Sequence, residues 1–140
     1  MPSNLRVVII GGVACGPKTA ARLMRLMPDA DITMIEKEGL VSYGACGLPY
    51  YVEGTFSNIN ALTHTPVGVS RTPEFFRTWK GFKTLTRTKA VAIDRPAKTV
   101  RIRHLDSGQE EELAYDKLVL ATGGRPFRPP IPGLELPNVW

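Results

Sequence analysis

The feature that most narrows the possible folds is the run LRVVIIGGVACGPKTAARLMRLMPDADITMIE, residues 5 to 36. Leu5 to Ile10 is a short apolar stretch ending at Gly11-Gly12, which reads as a buried strand. Lys18 to Met27 then repeats apolar residues at helical spacing. Ala20, Leu23, Met24 and Met27 fall on one face, and Lys18, Arg22 and Arg25 on the other. Pro28-Asp29 stops that helix, and Asp31 to Glu36 is a second strand. Strand, helix and strand within about thirty residues make a βαβ unit, whose two strands lie parallel in one sheet. A chain that begins this way is committed to an α/β fold.

The turn after the first strand carries chemistry. A dinucleotide fingerprint places glycine first, third and sixth. Here Gly11 and Gly16 hold the first and sixth places and Val13 the third, so the strict pattern is not met. Gly11 still permits a tight turn, Gly12 leaves room near a phosphate, and Gly16 permits close packing of the helix. The helix start then offers free N–H groups to a pyrophosphate. Glu36 ends the second strand, where a carboxylate accepts hydrogen bonds from ribose hydroxyls. Spacing, strand, helix and acid together point to dinucleotide binding.

Beyond this unit the pattern changes. Residues 39 to 70 read as loop with little periodicity, apart from a short helix beginning near Cys46. Thr72-Pro73-Glu74 has the form of a helix start, with Thr as N-cap and Pro first inside, and FFRTWKGF runs on to Gly81. Three strands follow, Ala90 to Asp94, Thr99 to His104 and Glu111 to Tyr115. Val100, Ile102 and His104 alternate with Arg101 and Arg103, the mark of a half-exposed meander. Lys117 to Ala121 reads as another buried strand, ending in Thr122-Gly123-Gly124 beside the carboxyl ends of the sheet. The five prolines of RPFRPPIPGLELPNVW exclude helix and central strand.

The chain has two cysteines, and SYGACGLPYY holds one of them, Cys46. A metal site is disfavoured, because His64 and His104 lie far off in sequence and there is no Cys-x-x-Cys. An intrachain redox pair spaced Cys-x4-Cys is excluded by Val41 and Tyr51. Cys15, inside the phosphate turn, reads as a small buried packing residue. Composition alone would call Cys46 structural too. Its neighbours Ala45 and Gly47 leave the sulfur open to approach, and a helix starting there would favour the thiolate.

Length and charge set the outer bounds. A chain of 140 residues can build one domain with a real core. No apolar run approaches membrane-spanning length, and the first residues are too short an apolar stretch for a signal peptide. The expectation is therefore a cytoplasmic protein with reduced cysteines. The net charge of +5 is concentrated between Arg71 and Arg103, where ten basic residues face only Glu74 and Asp94. An anionic partner is one reading. A solvated face is preferred, because these charges are interleaved with apolar strand residues.

Taken in order, VVIIGGVACG with AARLMRL, IEK, SYGACGLPYYVEG, RTPEFF and YDKLVLATGGRPFRPPIPG resemble the N-terminal part of the flavin-dependent pyridine nucleotide-disulfide oxidoreductases. The similarity covers essentially the whole chain. It is specific for the branch with a single redox cysteine, the coenzyme A-disulfide reductases, NADH oxidases and persulfide or polysulfide reductases. That branch commonly carries Gly-Gly-Val-Ala in the turn, so Val13 is no departure. The resemblance implies a Rossmann-like FAD-binding βαβ with an inserted antiparallel β meander. Residues 1–124 would be the first segment of an FAD-binding domain, and 125–140 a Pro-rich linker to an NAD(P)H domain. Gly11, Gly12 and Gly16 would cradle the FAD pyrophosphate, and Glu36 would hold the ribose. Lys37 would lie near the adenine and Val91 would touch it by its backbone. Ala121, Thr122 and Gly123 would pass beside the cofactor.

By the same resemblance, Cys46 would be the redox-active nucleophile over the flavin, passing electrons from NAD(P)H to a disulfide, persulfide or polysulfide. Lys18, Arg22, Arg25 and Ser42 would face a coenzyme A channel. Ala45 stands where coenzyme A-disulfide reductases usually carry Asn, which favours persulfide or polysulfide acceptors. Full-length members continue into an NADH domain and a dimerisation domain, so the expectation is a homodimer for the parent and no NADH turnover by these 140 residues alone. Two other classes compete: a non-catalytic FAD- or ADP-binding module, and a basic nucleic-acid binder for which no stacking or groove-reading motif is present.

Overall fold

The computed structural model describes residues 4–125 and 127–138. The βαβ unit is β1 (Arg6–Ile10), α1 (Cys15–Leu26) and β2 (Asp31–Ile35). Three short helical segments follow: α2 (Leu48–Val52), α3 (Asn60–Thr63) and α4 (Pro73–Phe75), the last running into a wider turn over Phe76–Lys80. Then come β3 (Lys83–Leu85), β4 (Thr88–Asp94), β5 (Thr99–His104), β6 (Glu110–Ala114) and β7 (Lys117–Leu120). Four strands form a parallel sheet in the order β3-β2-β1-β7, and β4-β5-β6 form a separate antiparallel meander.

β1 is flanked on both edges, by β2 from Arg6↔Asp31 to Ile10↔Ile35 and by β7 from Val7↔Lys117 to Ile10↔Leu120. Its alternating side chains therefore serve two cores. Val7 and Ile9 pack with Ala20 of α1, Ile32, Met34, Phe76 and Phe82 on one face. Val8 packs with Ile35, Val100, Ile102 and Tyr115 on the other, under the meander. This two-sided burial is why RVVII reads as a continuous apolar run. Arg6 and Asp116 close the entrance of the sheet: the Arg6 N–H and guanidinium donate to the carboxylate at 2.8–3.2 Å.

Several boundaries depart from the pattern reading. α1 begins at Cys15, not Lys18. Pro17 hides the start from periodicity, yet in a first turn its missing N–H costs nothing. Cys15 is consequently exposed at the helix surface rather than buried, while Gly16 and Pro17 face inward. Met27 caps the helix and is exposed, because the chain is already turning toward Pro28. β3 has no counterpart in the sequence reading; three residues are too few to show a period. β7 is an edge strand, with Leu120 62% exposed, where a buried strand was expected. The Thr72 cap is as read, its hydroxyl accepting from Phe75 N–H at 3.2 Å, and Gly81 ends the segment at φ 79°.

The basic stretch finds acids from outside itself. Strand pairing brings Arg103 to Glu110 at 2.6 Å and Arg87 to Asp106 at 3.0 Å. From Arg125 through the described residues 127–138, turns and bends replace regular structure. Pro126, Val139 and Trp140 of the expected linker lie outside the described residues. Among the described residues, no helix is long and apolar enough to cross a membrane.

Candidate active site

Two clefts lie either side of the Gly-rich turn. The first, of about 310 Å³, opens at the carboxyl ends of β1, β2 and β7. It is lined by Gly11, Glu36 and Lys37, by Thr88, Lys89 and Ala90 of β4, and by Thr122 to Arg125. This is the place in an open α/β sheet where the chain order reverses and ligands bind. The turn is built for backbone approach. Gly11 has φ 112°, and a Cβ there would lie 2.1 Å from the Ala121 carbonyl oxygen. At Gly16 a Cβ would lie 1.8 Å from the Gly11 carbonyl oxygen, so α1 packs directly on the loop. α1 has no side-chain N-cap and no acid in its first turn.

Glu36 is 5% exposed, and both carboxylate oxygens are engaged. Oε2 accepts from Gly12 N–H at 2.7 Å and Oε1 from Glu38 N–H at 3.0 Å. These two charge-assisted bonds offset the cost of burying the carboxylate. The same carboxylate side chain gives Gly12 a second constraint. The space beside its Cα is filled by Glu36 and Val41, with a Cβ there only 2.9 Å from Glu36 Cβ. Gly12 and Gly16 thus shape the cleft from beneath rather than line it.

The second cleft, of about 550 Å³, contains Cys46. Cys46 is exposed, in a tight turn over Ala45–Gly47 that leads into α2. Lys18 and Arg25 of α1, Arg71 and Lys80 line the same cleft with Ser42, Tyr43 and the rings of Phe75 and Phe76, and among the described residues no acid lines it. Such a one-signed wall attracts anions. Ser42 N–H donates to the Gly12 carbonyl at 2.8 Å, joining this cleft to the Gly-rich turn.

A family model described as pyridine nucleotide-disulphide oxidoreductase matches residues 5–140. The chain belongs to that family. Within it, the chain is 35% identical over 137 residues to an NADH oxidase of Methanocaldococcus jannaschii, covering 97% of this chain and 29% of that protein. It is 38% identical to an NAD(P)H sulfur oxidoreductase (CoA-dependent) of Pyrococcus furiosus, covering 96% and 28%. The solved structure of a NAD-dependent persulfide reductase from A. fulgidus superposes with TM-score 0.88 and 47% identity over 94% of this chain and 24% of that one. The chain thus spans less than a third of the length of the relatives it matches.

Set against the sequence reading, the first cleft gathers Gly11, Glu36, Lys37, Thr122 and Gly123. Ala121 lies beneath it, its carbonyl against Gly11. Val91 does not line it. Its neighbours Lys89 and Ala90 do, because β4 meets the end of β2 through Thr88 N–H to Glu36 O at 3.0 Å. The pairing with β5 slips between Ala90 and Ala92, which leaves Val91 as the extra residue of a bulge. The second cleft gathers Cys46, Lys18, Arg25 and Ser42 but not Arg22. Arg22 shares the polar face of α1 with Lys18 and Arg25, yet only those two reach the cleft. Arg71, Lys80, Lys89 and Arg125 were not singled out from sequence. Charge type was the only signal, and it did not tell them from the other surface cations.

Proposed function

We propose that this chain supplies the FAD-holding and cysteine-bearing part of an NAD(P)H-dependent flavoprotein reductase that acts on a disulfide, persulfide or polysulfide. The observation that carries this reading is the Ser42–Gly12 hydrogen bond, which couples an exposed thiol in a cationic cleft to a Gly-rich nucleotide turn. On this reading residues 1–124 are the first segment of the FAD domain and 125–140 the linker onward to an NAD(P)H domain. The parent protein is a cytoplasmic homodimer.

The residues fit FAD. Gly11, Gly12 and Gly16 leave no Cβ in the turn, and the uncapped start of α1 leaves N–H groups for a pyrophosphate. Each Glu36 oxygen accepts one backbone N–H and keeps a lone pair for a ribose hydroxyl. Lys37 lies on the adenine side, and Val91, one residue beyond the Ala90 that lines the cleft, would reach the adenine by its backbone. Ala121, Thr122 and Gly123 give small surfaces for the cofactor to pass. When bound, FAD supplies two-electron transfer between a nicotinamide and sulfur.

Cys46 Sγ, as thiolate, attacks one sulfur of the acceptor. A new S–S bond forms, the acceptor's S–S bond breaks, and the departing thiolate leaves. Lys18, Arg25, Arg71, Lys80 and Ser42 of the cleft, with Arg22 from the same helix as Lys18, hold the phosphates of a coenzyme A carrier. Ala45 offers no polar side chain beside the thiol, which favours small persulfide or polysulfide acceptors. The A. fulgidus relative, a persulfide reductase by name, supports this acceptor, and the CoA-dependent P. furiosus relative supports a coenzyme A carrier.

The intact protein is expected to purify with flavin absorbance and to oxidise NAD(P)H only when polysulfide, a persulfide or coenzyme A disulfide is added. Cys46→Ser should keep the flavin and lose that turnover. Undiminished turnover in Cys46→Ser, or failure to bind FAD on reconstitution, would refute the reading. Flavin without acceptor-dependent turnover in the wild type would leave a nucleotide-binding module.

A further inference from the structure

We propose that Arg71 is the positioning residue of the Cys46 turn; its functional meaning rests on the reading that Cys46 is the redox sulfur. The starting observation is a strained residue. Ser42 has φ 52°, a left-handed backbone that disfavours any residue with a Cβ and persists only where its surroundings enforce it. Both of its peptide groups are tied. Its N–H donates to Gly12 O at 2.8 Å, and its carbonyl accepts from Arg71 Nη1 at 2.9 Å.

The same Nη1 donates to Leu62 O at 3.3 Å, and that carbonyl also accepts Gly44 N–H at 2.8 Å. Leu62 is buried beneath the turn: a Cβ at Gly47 would lie 2.4 Å from Leu62 Cδ2. Arg71 is itself held by its N–H to Thr63 O at 3.1 Å. One guanidinium therefore joins three segments, the entry to the Cys46 turn, α3 and the start of α4. A charged donor on two carbonyls is stronger than a neutral one, and a single guanidinium nitrogen, Nη1, holds both. Arg71 thereby fixes the direction in which the chain enters Ala45–Gly47 and so where Cys46 stands relative to the Gly-rich turn. No local sequence signal reveals this, because Arg71 acts across 29 residues.

The test is amide hydrogen exchange on the 140-residue chain, read by NMR. In Arg71→Met, exchange at Ser42 and Gly44 is expected to speed up by about tenfold or more, as for loss of a charge-assisted hydrogen bond. Exchange at Ile9 and Met34 in the sheet is expected to stay unchanged. Arg71→Lys, which keeps the charge but ends one bond short of Nη1, should fall between the two. Ser42→Gly takes the left-handed backbone freely, so Arg71→Met should cost less in that background. Unchanged exchange at Ser42 and Gly44, or acceleration spread equally to Ile9 and Met34, overturns the proposal. Should Arg71→Met not fold, Arg71→Lys decides it by the same two outcomes. None of these readouts needs flavin or turnover, so a failure here is distinct from a failure of the proposed activity.

Discussion

Replacing Gly16 by alanine probes how the nucleotide turn is built. The new Cβ would lie 1.8 Å from the Gly11 carbonyl oxygen, 3.0 Å from its carbon and 3.3 Å from Ile9 Cγ2. An ordinary non-bonded contact is about 3.5 Å, so about 1.7 Å of separation has to be found. Gly11 cannot retreat. Its N–H is bonded to Ile35 O at 2.8 Å, and its own Cα abuts the Ala121 carbonyl. Relief must come from α1 swinging outward, which loosens Ala20, now fully buried against the sheet. Overpacking against backbone plus that lost packing costs about 4 kcal/mol, and the better helix propensity of alanine returns about 1 kcal/mol. The net of about 3 kcal/mol lowers the melting temperature of a domain this size by about 10 °C. Gly47→Ala is the control: its Cβ meets Leu62 Cδ2 at 2.4 Å, the end of a side chain that can rotate, and should cost about 1 kcal/mol. Urea titration and thermal melting of the three proteins, with FAD binding followed by fluorescence quenching, read the outcome. A Gly16→Ala protein no less stable than Gly47→Ala refutes the reasoning.

Three further expectations follow from single contacts. Glu36→Gln keeps the shape but sets an NH2 against Gly12 N–H or Glu38 N–H, so urea denaturation should show a loss of about 2 kcal/mol. An unchanged midpoint would mean that these bonds contribute nothing. Asp116 is held at about 2, below its ordinary 3.8, by hydrogen bonds from the Arg6 guanidinium and then the Arg6 N–H. A depressed folded-state value gives stability that is present above about pH 4 and lost as the pH falls toward about 2. The gap in denaturation midpoint between wild type and Asp116→Asn should therefore close over that interval, and a gap that persists to about pH 2 counts against the pair. Thr84 Oγ1 is buried without a hydrogen-bond partner among the described residues, so Thr84→Val should gain about 1 kcal/mol; a loss on thermal melting would show that the hydroxyl is satisfied.

Much of the fold was legible because its signals are local. Apolar runs and helical spacing gave β1, α1 and β2, the Thr72-Pro73 start was an N-cap in fact, and alternation in TVRIRH placed Val100 and Ile102 inward. What escaped lacks a local signature. β3 is three residues long and exists because β2 offers it an edge. Cys15 reads as core in a small-residue turn, yet the helix begins on it and turns it outward. Arg71 and Lys80 are two cations among many until the fold brings them beside Cys46.

By itself the sequence determined the α/β unit, the Gly-rich turn with an acid at the end of the second strand, and an unpaired cysteine in a small-residue turn. Those are properties of spacing and residue type, which act over a few neighbours. Only the tertiary structure decided that Glu36 and Cys46 stand in separate clefts and that the Ser42–Gly12 bond joins them. It also decided that a side chain at position 12 would meet Glu36 and Val41. The physical reason is reach. A hydrogen bond or a steric limit is set by atoms within about 3.5 Å, and the chain brings those atoms together from residues tens of positions apart.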